Sequence, residues 1–213
     1  MIAIEYTPQP VSVSKRIFDI VAAVFGLLIT APILPLIALV VKLETPGPAL
    51  FRQQRIGRCL ADRTELFWMY KFRTMGVDSE KKSGAVWAEK NDQRVTRIGR
   101  FLRKTRLDEI PQLWNVLIGD MSLIGPRPER PGFYQKLEKA IPFFAERTVG
   151  LRPGITGLSQ VYQGYDRDLD DVRRKVSFDH AYALSLSAMV PWISMDLRII
   201  VRTVWVMVAG RGQ

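Results

Sequence analysis

Cysteine and histidine are almost missing from this chain: Cys59 and His180 stand alone among 213 residues. No disulfide can form within the chain, and one cysteine suits a reducing cytoplasm. A lone histidine argues against a His-rich metal site or a Ser-His-Asp triad, and His180 reads as a structural residue. There is no Walker loop and no G-x-G-x-x-G, so the common nucleotide-binding fingerprints are absent. No internal repeat or low-complexity tract is present, and the 13 Pro and 15 Gly are too dispersed for a collagen-like or linker-like chain. Acidic residues are scarce, with 21 Asp and Glu against 31 Lys and Arg, which leaves a net charge of +10. The resulting pI near 10.0 calls for a polyanionic partner: nucleic acid, an acidic membrane surface or a phosphorylated substrate. Apolar residues, at 47 %, are enough to bury a core and exclude intrinsic disorder.

Charge is also missing locally. From Ile20 to Val41 no side chain is ionisable, a run of 22 residues. A spanning helix needs about 20. Pro32 and Pro35 fall inside the run, however, and each removes a backbone hydrogen bond. Basic residues flank both sides, Lys15 and Arg16 before and Lys42, Arg52, Arg55 and Arg58 after, whereas a spanning helix leaves its basic excess on one side. An arm from Ile20 to Ala31 is about 18 Å long, too short for a hydrocarbon core of about 30 Å. The pattern favours a re-entrant hairpin broken at Ala31-Pro32 over a kinked span, a buried soluble helix or a cleaved signal peptide.

Beyond the turn cluster that follows Glu44, residues Glu65 to Met75 read as a strand carrying Lys71 and Arg73 at alternate positions. Asp78 to Asp92 reads as a polar surface loop, and Val95 to Lys104 as a basic helix. That helix lacks the aromatic interleaving of a single-strand nucleic-acid binder. A helix is expected from near Asp108 towards Ile118, another over Asp170 to Ser185, and a last amphipathic one over Trp192 to Val208. In the last, Arg198 and Arg202 share a face, and Trp192 and Trp205 suit either a core or a membrane interface.

The stretch Arg103 to Leu117 carries the chemistry. Asp108 and Glu109 are adjacent carboxylates among Arg103, Lys104 and Arg106, with Pro111 suited to a first helical turn. One carboxylate could attack phosphorus while the other holds a metal. Thr105-x-x-Asp108 also matches a capping box, and on the local pattern alone capping is the favoured reading. Arg127 lies between Pro126 and Pro128, and Arg152 precedes Pro153. Proline stiffens both loops, so each guanidinium is presented to phosphate at lower entropic cost, although a surface ion pair explains a lone arginine as well. The D-x-D pairs Asp166/Asp168 and Asp168/Asp170 read as solvated helix-cap acids.

Taken in order, Lys15-Arg-Ile-Phe-Asp19, the Pro-broken hairpin, Tyr70-Lys-Phe-Arg-Thr-Met75, Arg106-Leu-Asp-Glu-Ile-Pro-Gln-Leu-Trp-Asn115, Gly119 to Pro128 and Arg152-Pro-Gly-Ile-Thr-Gly157 resemble the bacterial sugar transferases, the monotopic phosphoglycosyl transferases. The resemblance runs from about Lys15 to Val208 and implies the minimal catalytic core. It implies an α/β fold, mainly helical: a re-entrant hairpin within residues 1–44, a cytoplasmic catalytic domain over 45–190 and an interfacial helix over 191–213. It implies transfer of a sugar 1-phosphate from a UDP-sugar to a polyprenyl phosphate with release of UMP, at the cytoplasmic face of the bacterial inner membrane. Asp108 would be the nucleophile, Glu109 the ligand of Mg²⁺, and Lys71, Arg73, Arg103, Arg127 and Arg152 the binders of substrate phosphate. The partners implied are the UDP-sugar, the polyprenyl phosphate and the lipid of one leaflet, with a homodimer as an option and no nucleic acid. The chain departs from the family pattern at Ala31, where Ser is common, at Gly132, where hexose-transferring members commonly carry Glu, and at Leu158-Ser-Gln160, where many have Trp. Two alternatives stay open: a Mg-dependent glycosyltransferase, which would release UDP and rely on Asp166 or Asp168, and a basic membrane-binding module without turnover.

Overall fold

A computed structural model gives the fold and describes residues 7–79, 92–163 and 168–209. Most of the Asp78 to Asp92 loop, and Asp166 of the D-x-D pattern, lie outside these residues.

Helix α1 (Gln9–Thr30) starts at Pro8 with Pro10 in its first turn, and α2 (Ile33–Glu44) starts from Pro32. Between them Pro32 offers no N–H to the preceding turn, and the two axes bend by 63°. The hydroxyl of Thr30 donates to the carbonyl of Gly26 at 2.7 Å, so a threonine one residue before the break supplies the local hydroxyl that Ala31 lacks. The helix begins well before the uncharged run, because the basic segment ahead of Ile20 is helical too. That segment is fastened to the rest of the chain. Lys15 pairs with Asp196 at 3.1 Å, Arg16 donates to the carbonyls of Val116 and Leu117 at 2.6 and 2.8 Å, and Asp19 accepts from the Ser122 hydroxyl and the Leu123 N–H, both at 3.0 Å.

Each arm has one packed face and one open face. Ala23 sits among Phe67, Met69, Val116 and Met121, while Ile37 and Val41 of α2 sit among Ala49, Phe72 and Leu102. On the open side Val21, Phe25 and Leu28 of α1, and Leu36 and Leu43 of α2, are each more than 60 % exposed. A contiguous apolar face of that kind marks a membrane or partner surface. Among the described residues no single helix is long and apolar enough to cross a membrane, and only the bent pair together reaches that length and composition.

Strands β1 (Leu50–Cys59) and β2 (Thr64–Phe72) form an antiparallel hairpin, registered from Leu50 opposite Phe72 to Cys59 opposite Thr64. The inner face of β2 runs Phe67, Met69, Lys71 and then Arg73, so it changes from apolar to cationic as it reaches the site. Helix α3 (Arg97–Thr105) is capped by the Thr96 hydroxyl, which accepts from the Gly99 N–H at 2.9 Å. A 3₁₀ turn (Leu107–Glu109) and α4 (Gln112–Ile118) follow.

The two proline-stiffened loops meet. Strand β3 (Ser122–Ile124) runs parallel to β4 (Gly154–Thr156), and their backbones exchange bonds from Gly125 N to Thr156 O and from Gly154 N to Pro126 O, both 2.9 Å. A Cβ at Gly154 would stand 2.1 Å from the Gly125 nitrogen, so this crossing requires glycine. Helix α5 (Pro131–Ala140), the short α6 (Leu158–Tyr162), α7 (Leu169–Ser185) and α8 (Met189–Val208) complete the chain. Asp168 caps α7 by accepting from the Asp171 N–H at 2.8 Å, in keeping with a helix-cap acid. Trp192 lies in the core, donating to Asp196 at 2.7 Å, whereas Trp205 is exposed. Among the described residues the architecture is thus a small, mainly helical α/β unit with two two-stranded sheets.

Candidate active site

A cavity of about 410 Å³ opens between the β hairpin, α3, the 3₁₀ turn and the segment that follows Pro126. Nine Lys or Arg residues line it against three carboxylates, Asp108, Glu109 and Glu129, so it is built for an anion.

Arg106 sets the position of the carboxylate pair. Its backbone lies in the left-handed region (φ 60°, ψ 13°), which ends α3 and turns the chain back beneath β2. Such a conformation costs a residue with a side chain about 1–3 kcal/mol and persists where the surroundings over-determine it. The pair therefore occupies a 3₁₀ turn one turn ahead of α4, not the first turn of that helix, and Pro111 is the residue before α4 begins. The capping-box alternative fails for the same reason. Thr105 ends α3, and its hydroxyl donates back to the carbonyls of Phe101 and Leu102 at 2.9 and 3.2 Å.

The neighbouring carboxylates have opposite electrostatics. Burial works against charge on Glu109, but Lys71 Nζ at 3.0 Å, Arg127 Nη1 at 3.7 Å and Arg106 Nη1 at 3.5 Å outweigh it and bring its pKa to about 2. Asp108 is pushed above its ordinary value, first by burial and then by the charge of Glu109, with Lys71, Arg103 and Arg106 pulling the other way. Its Oδ1 is buried and has no hydrogen-bond partner. Burial also lowers the proton affinity of Lys71, against the attraction of Glu109. An under-coordinated carboxylate oxygen in a cation-lined cavity is equipped to approach an electrophilic phosphorus whose oxygens the cations hold.

Six of the seven residues expected to react or to bind phosphate therefore line one cavity: Lys71, Arg73, Arg103, Arg127, Asp108 and Glu109. Arg103 is steadied by its Nε bond to the Thr74 hydroxyl at 2.9 Å. Arg73 reaches the cavity wall, but its guanidinium donates to the carbonyls of Pro46 and Thr45 at 2.5 and 2.7 Å, which close the end of α2. Arg152 is not brought to this cavity. Its Nε donates to the Gly119 carbonyl at 2.8 Å, where it holds the turn after α4. The expectation of phosphate binding thus has a competing structural task at both arginines. His180 contacts the Phe143 carbonyl at 3.2 Å, away from the cavity.

Sequence reading missed a buried charge cluster behind the cavity. Arg147, 1 % exposed, pairs with Asp179 at 2.7 Å and stands 3.8 Å from Glu129, which Lys175 also contacts. Ser159 donates to the other oxygen of Asp179 at 3.1 Å. Glu129 and Lys175 form part of the cavity wall, as does Arg55, whose Nη1 donates to the Pro128 carbonyl at 3.0 Å. These residues come from five separate segments, and no local spacing could have announced them.

Among the described residues no group of three or more His, Cys, Asp or Glu could enclose a metal ion. Glu109 is the ionised carboxylate of the pair and the one that suits a hard cation taking its remaining ligands from water and substrate phosphate, as Mg²⁺ does; its Oε1 meets Lys71 and Arg127 and its Oε2 meets Arg106.

Comparison with known proteins gives this arrangement a family. The model of the bacterial sugar transferases matches residues 11–210. This chain belongs to that family. It is 43 % identical over 206 residues to an Aeromonas hydrophila protein named UDP-N-acetylgalactosamine-undecaprenyl-phosphate N-acetylgalactosaminephosphotransferase, covering 96 % of this chain and 46 % of that protein. It is 42 % identical over 199 residues to the exopolysaccharide production protein PSS of Rhizobium leguminosarum bv. phaseoli, covering 90 % and 94 %. A Caulobacter vibrioides UDP-glucose:undecaprenyl-phosphate glucose-1-phosphate transferase is 43 % identical over 196 residues, covering 91 % and 69 %. The chain spans about half the length of the Aeromonas protein and nearly all of the Rhizobium one.

Proposed function

We propose that this bacterial sugar transferase moves a sugar 1-phosphate from a UDP-sugar to a polyprenyl phosphate in two displacements at Asp108. The observation that carries the reading is the buried, unpartnered Oδ1 of Asp108 beside Lys71, Arg103, Arg106 and Arg127. The relatives' names support the substrate classes: two of the three name undecaprenyl phosphate, with different sugars, so the sugar itself stays unassigned.

In the first step Asp108 Oδ1 attacks the phosphorus that bears the sugar. The bond from that phosphorus to the bridging oxygen breaks, UMP leaves with the electron pair, and an acyl phosphate to the sugar remains. Lys71, Arg103 and Arg127 neutralise the phosphate oxygens as charge builds on them. Glu109, already ionised, holds Lys71 and Arg127 in place and would hold Mg²⁺ together with the substrate diphosphate. A bound Mg²⁺ supplies charge neutralisation to that diphosphate. In the second step an oxygen of the lipid phosphate attacks the same phosphorus, the bond to Asp108 breaks, and the carboxylate is restored.

We further read the bent pair α1–α2 as a re-entrant hairpin in one leaflet. Its open apolar faces, its break at Pro32 and its basic flanks on both sides support that reading, under which a cavity at headgroup depth would meet a lipid phosphate.

The test gives membrane-embedded protein a panel of UDP-sugars with undecaprenyl phosphate and Mg²⁺, and assays UMP and UDP separately, with D108N and chelator controls. UMP that depends on Asp108 and on the metal supports the account. UDP, or UMP that persists in D108N, overturns it.

A further inference from the structure

A second pocket, about 200 Å³, adjoins the polar cavity and shares Arg106 and Glu109 with it. Its other walls are of different character: Leu113 of α4, Ile155 of β4, Val161 of α6 and Val206 of α8. The hydroxyls on its wall are already satisfied, since Thr156 and Thr203 bond each other at 2.8 Å and Thr203 donates to the Ile199 carbonyl at 2.8 Å. The Gln160 amide nitrogen donates to the Ile155 carbonyl at 3.0 Å, while its Oε1 is buried without a partner. Apart from that one acceptor, the walls away from Arg106 and Glu109 offer little to a nucleotide sugar, and water inside them gains few partners.

An occupant with an anionic head and a branched hydrocarbon tail fits the junction. Its head would meet Arg106 on the cavity side, and its first apolar units would lie between α4 and α8. A longer chain would then pass out of the groove into the surrounding hydrocarbon. The two compartments are complementary to the two halves of one molecule, and that continuity selects a lipid phosphate over a free apolar ligand or a peptide.

We infer that this groove seats the head-proximal isoprene units of the polyprenyl phosphate acceptor, with Arg106 spanning lipid and donor compartments. The inference rests on the transfer proposed above, and its test separates the two. The full chain in lipid nanodiscs is assayed for KM towards undecaprenyl phosphate and, separately, towards the UDP-sugar. V206W fills the groove, V161F fills it from the opposite wall, and V204W places the same bulk on the neighbouring open face of α8. Both groove variants are expected to raise the acceptor KM by about tenfold or more, the loss of about 1.4 kcal/mol of binding. The UDP-sugar KM stays where it was, and V204W leaves both constants alone. If the groove variants fold and leave the acceptor KM unchanged, or if V204W shifts it equally, the groove assignment falls while the transfer reading stands. If the unmodified chain transfers nothing to undecaprenyl phosphate, the transfer reading fails and takes the groove with it.

Discussion

Neutral isosteres of the two adjacent carboxylates are predicted to move stability in opposite directions. Glu109 has its pKa lowered from 4.5 to about 2, despite burial, by Lys71, Arg127 and Arg106. At about 1.4 kcal/mol for each tenfold change in proton affinity, the charged form is favoured in the fold by about 3 kcal/mol. That matches the roughly 3–5 kcal/mol lost when one member of a buried ion pair is removed. For a chain of this size each kcal/mol shifts Tm by about 2–4 °C, so E109Q should melt roughly 6–12 °C lower. Asp108 is the reverse case, since burial raises its pKa and leaves Oδ1 without a donor. Removing a charge from such a place relieves about 1–3 kcal/mol, so D108N should melt at least about 2 °C higher while losing activity. The pH dependence follows from the same shifts. The Glu109 contribution is complete above 4.5 and is lost as pH falls towards 2, so the E109Q deficit is constant from pH 5 to 8. The Asp108 penalty is absent below its ordinary 3.8 and grows as pH rises through its raised value, so the D108N advantage widens with pH and then levels off. Thermal melts of purified protein in chelator, from pH 5 to 8, decide the matter. A D108N variant that melts as far below the unmodified protein as E109Q does would refute this electrostatic account of the pair.

Three further outcomes are expected. The kcat/KM for the UDP-sugar should fall on the acid side with an apparent pKa above the ordinary carboxyl value, because burial first and Glu109 second raise Asp108; an acid limb at or below 3.8 would remove Asp108 as the titrating group. R147M leaves Asp179 and Glu129 buried with a cation missing, and denaturant unfolding should show a loss of about 3–5 kcal/mol; a loss under 1 kcal/mol would mean that the cluster is dispensable. Cysteines placed at Thr7 and Thr45, one at a time in a C59S background, should be labelled from the same side of sealed vesicles; labelling from opposite sides would replace the hairpin by a kinked span.

Much of this was legible along the chain because the physics is local. Pro32 in an uncharged run foretells a break wherever it sits, and Asp168 ahead of an amphipathic stretch foretells a helix start. The adjacent Asp108 and Glu109 among bases could be singled out by residue type alone, although their turn could not. A left-handed Arg106 has no glycine to betray it, so the sequence predicts one helix where the chain makes a 3₁₀ turn and then α4. The tasks of Arg73 and Arg152 depend on carbonyls that only the fold brings near, 27 and 33 residues away. Lys15, Arg16 and Asp19 read as a basic flank and a motif, yet they bolt α1 to α4, α8 and β3 across 100 to 181 residues of chain. The Arg147 cluster and the apolar groove are assembled from distant segments, and no periodicity records them.

The most direct test of covalent transfer leaves out the acceptor. Protein incubated with the accepted UDP-sugar alone is quenched and measured by intact mass, then digested to locate any adduct. The account predicts a gain of one sugar phosphate on the peptide that contains Asp108, with one UMP released for each adduct and no adduct in D108N. UMP release without an adduct, or an adduct that survives in D108N, would contradict it.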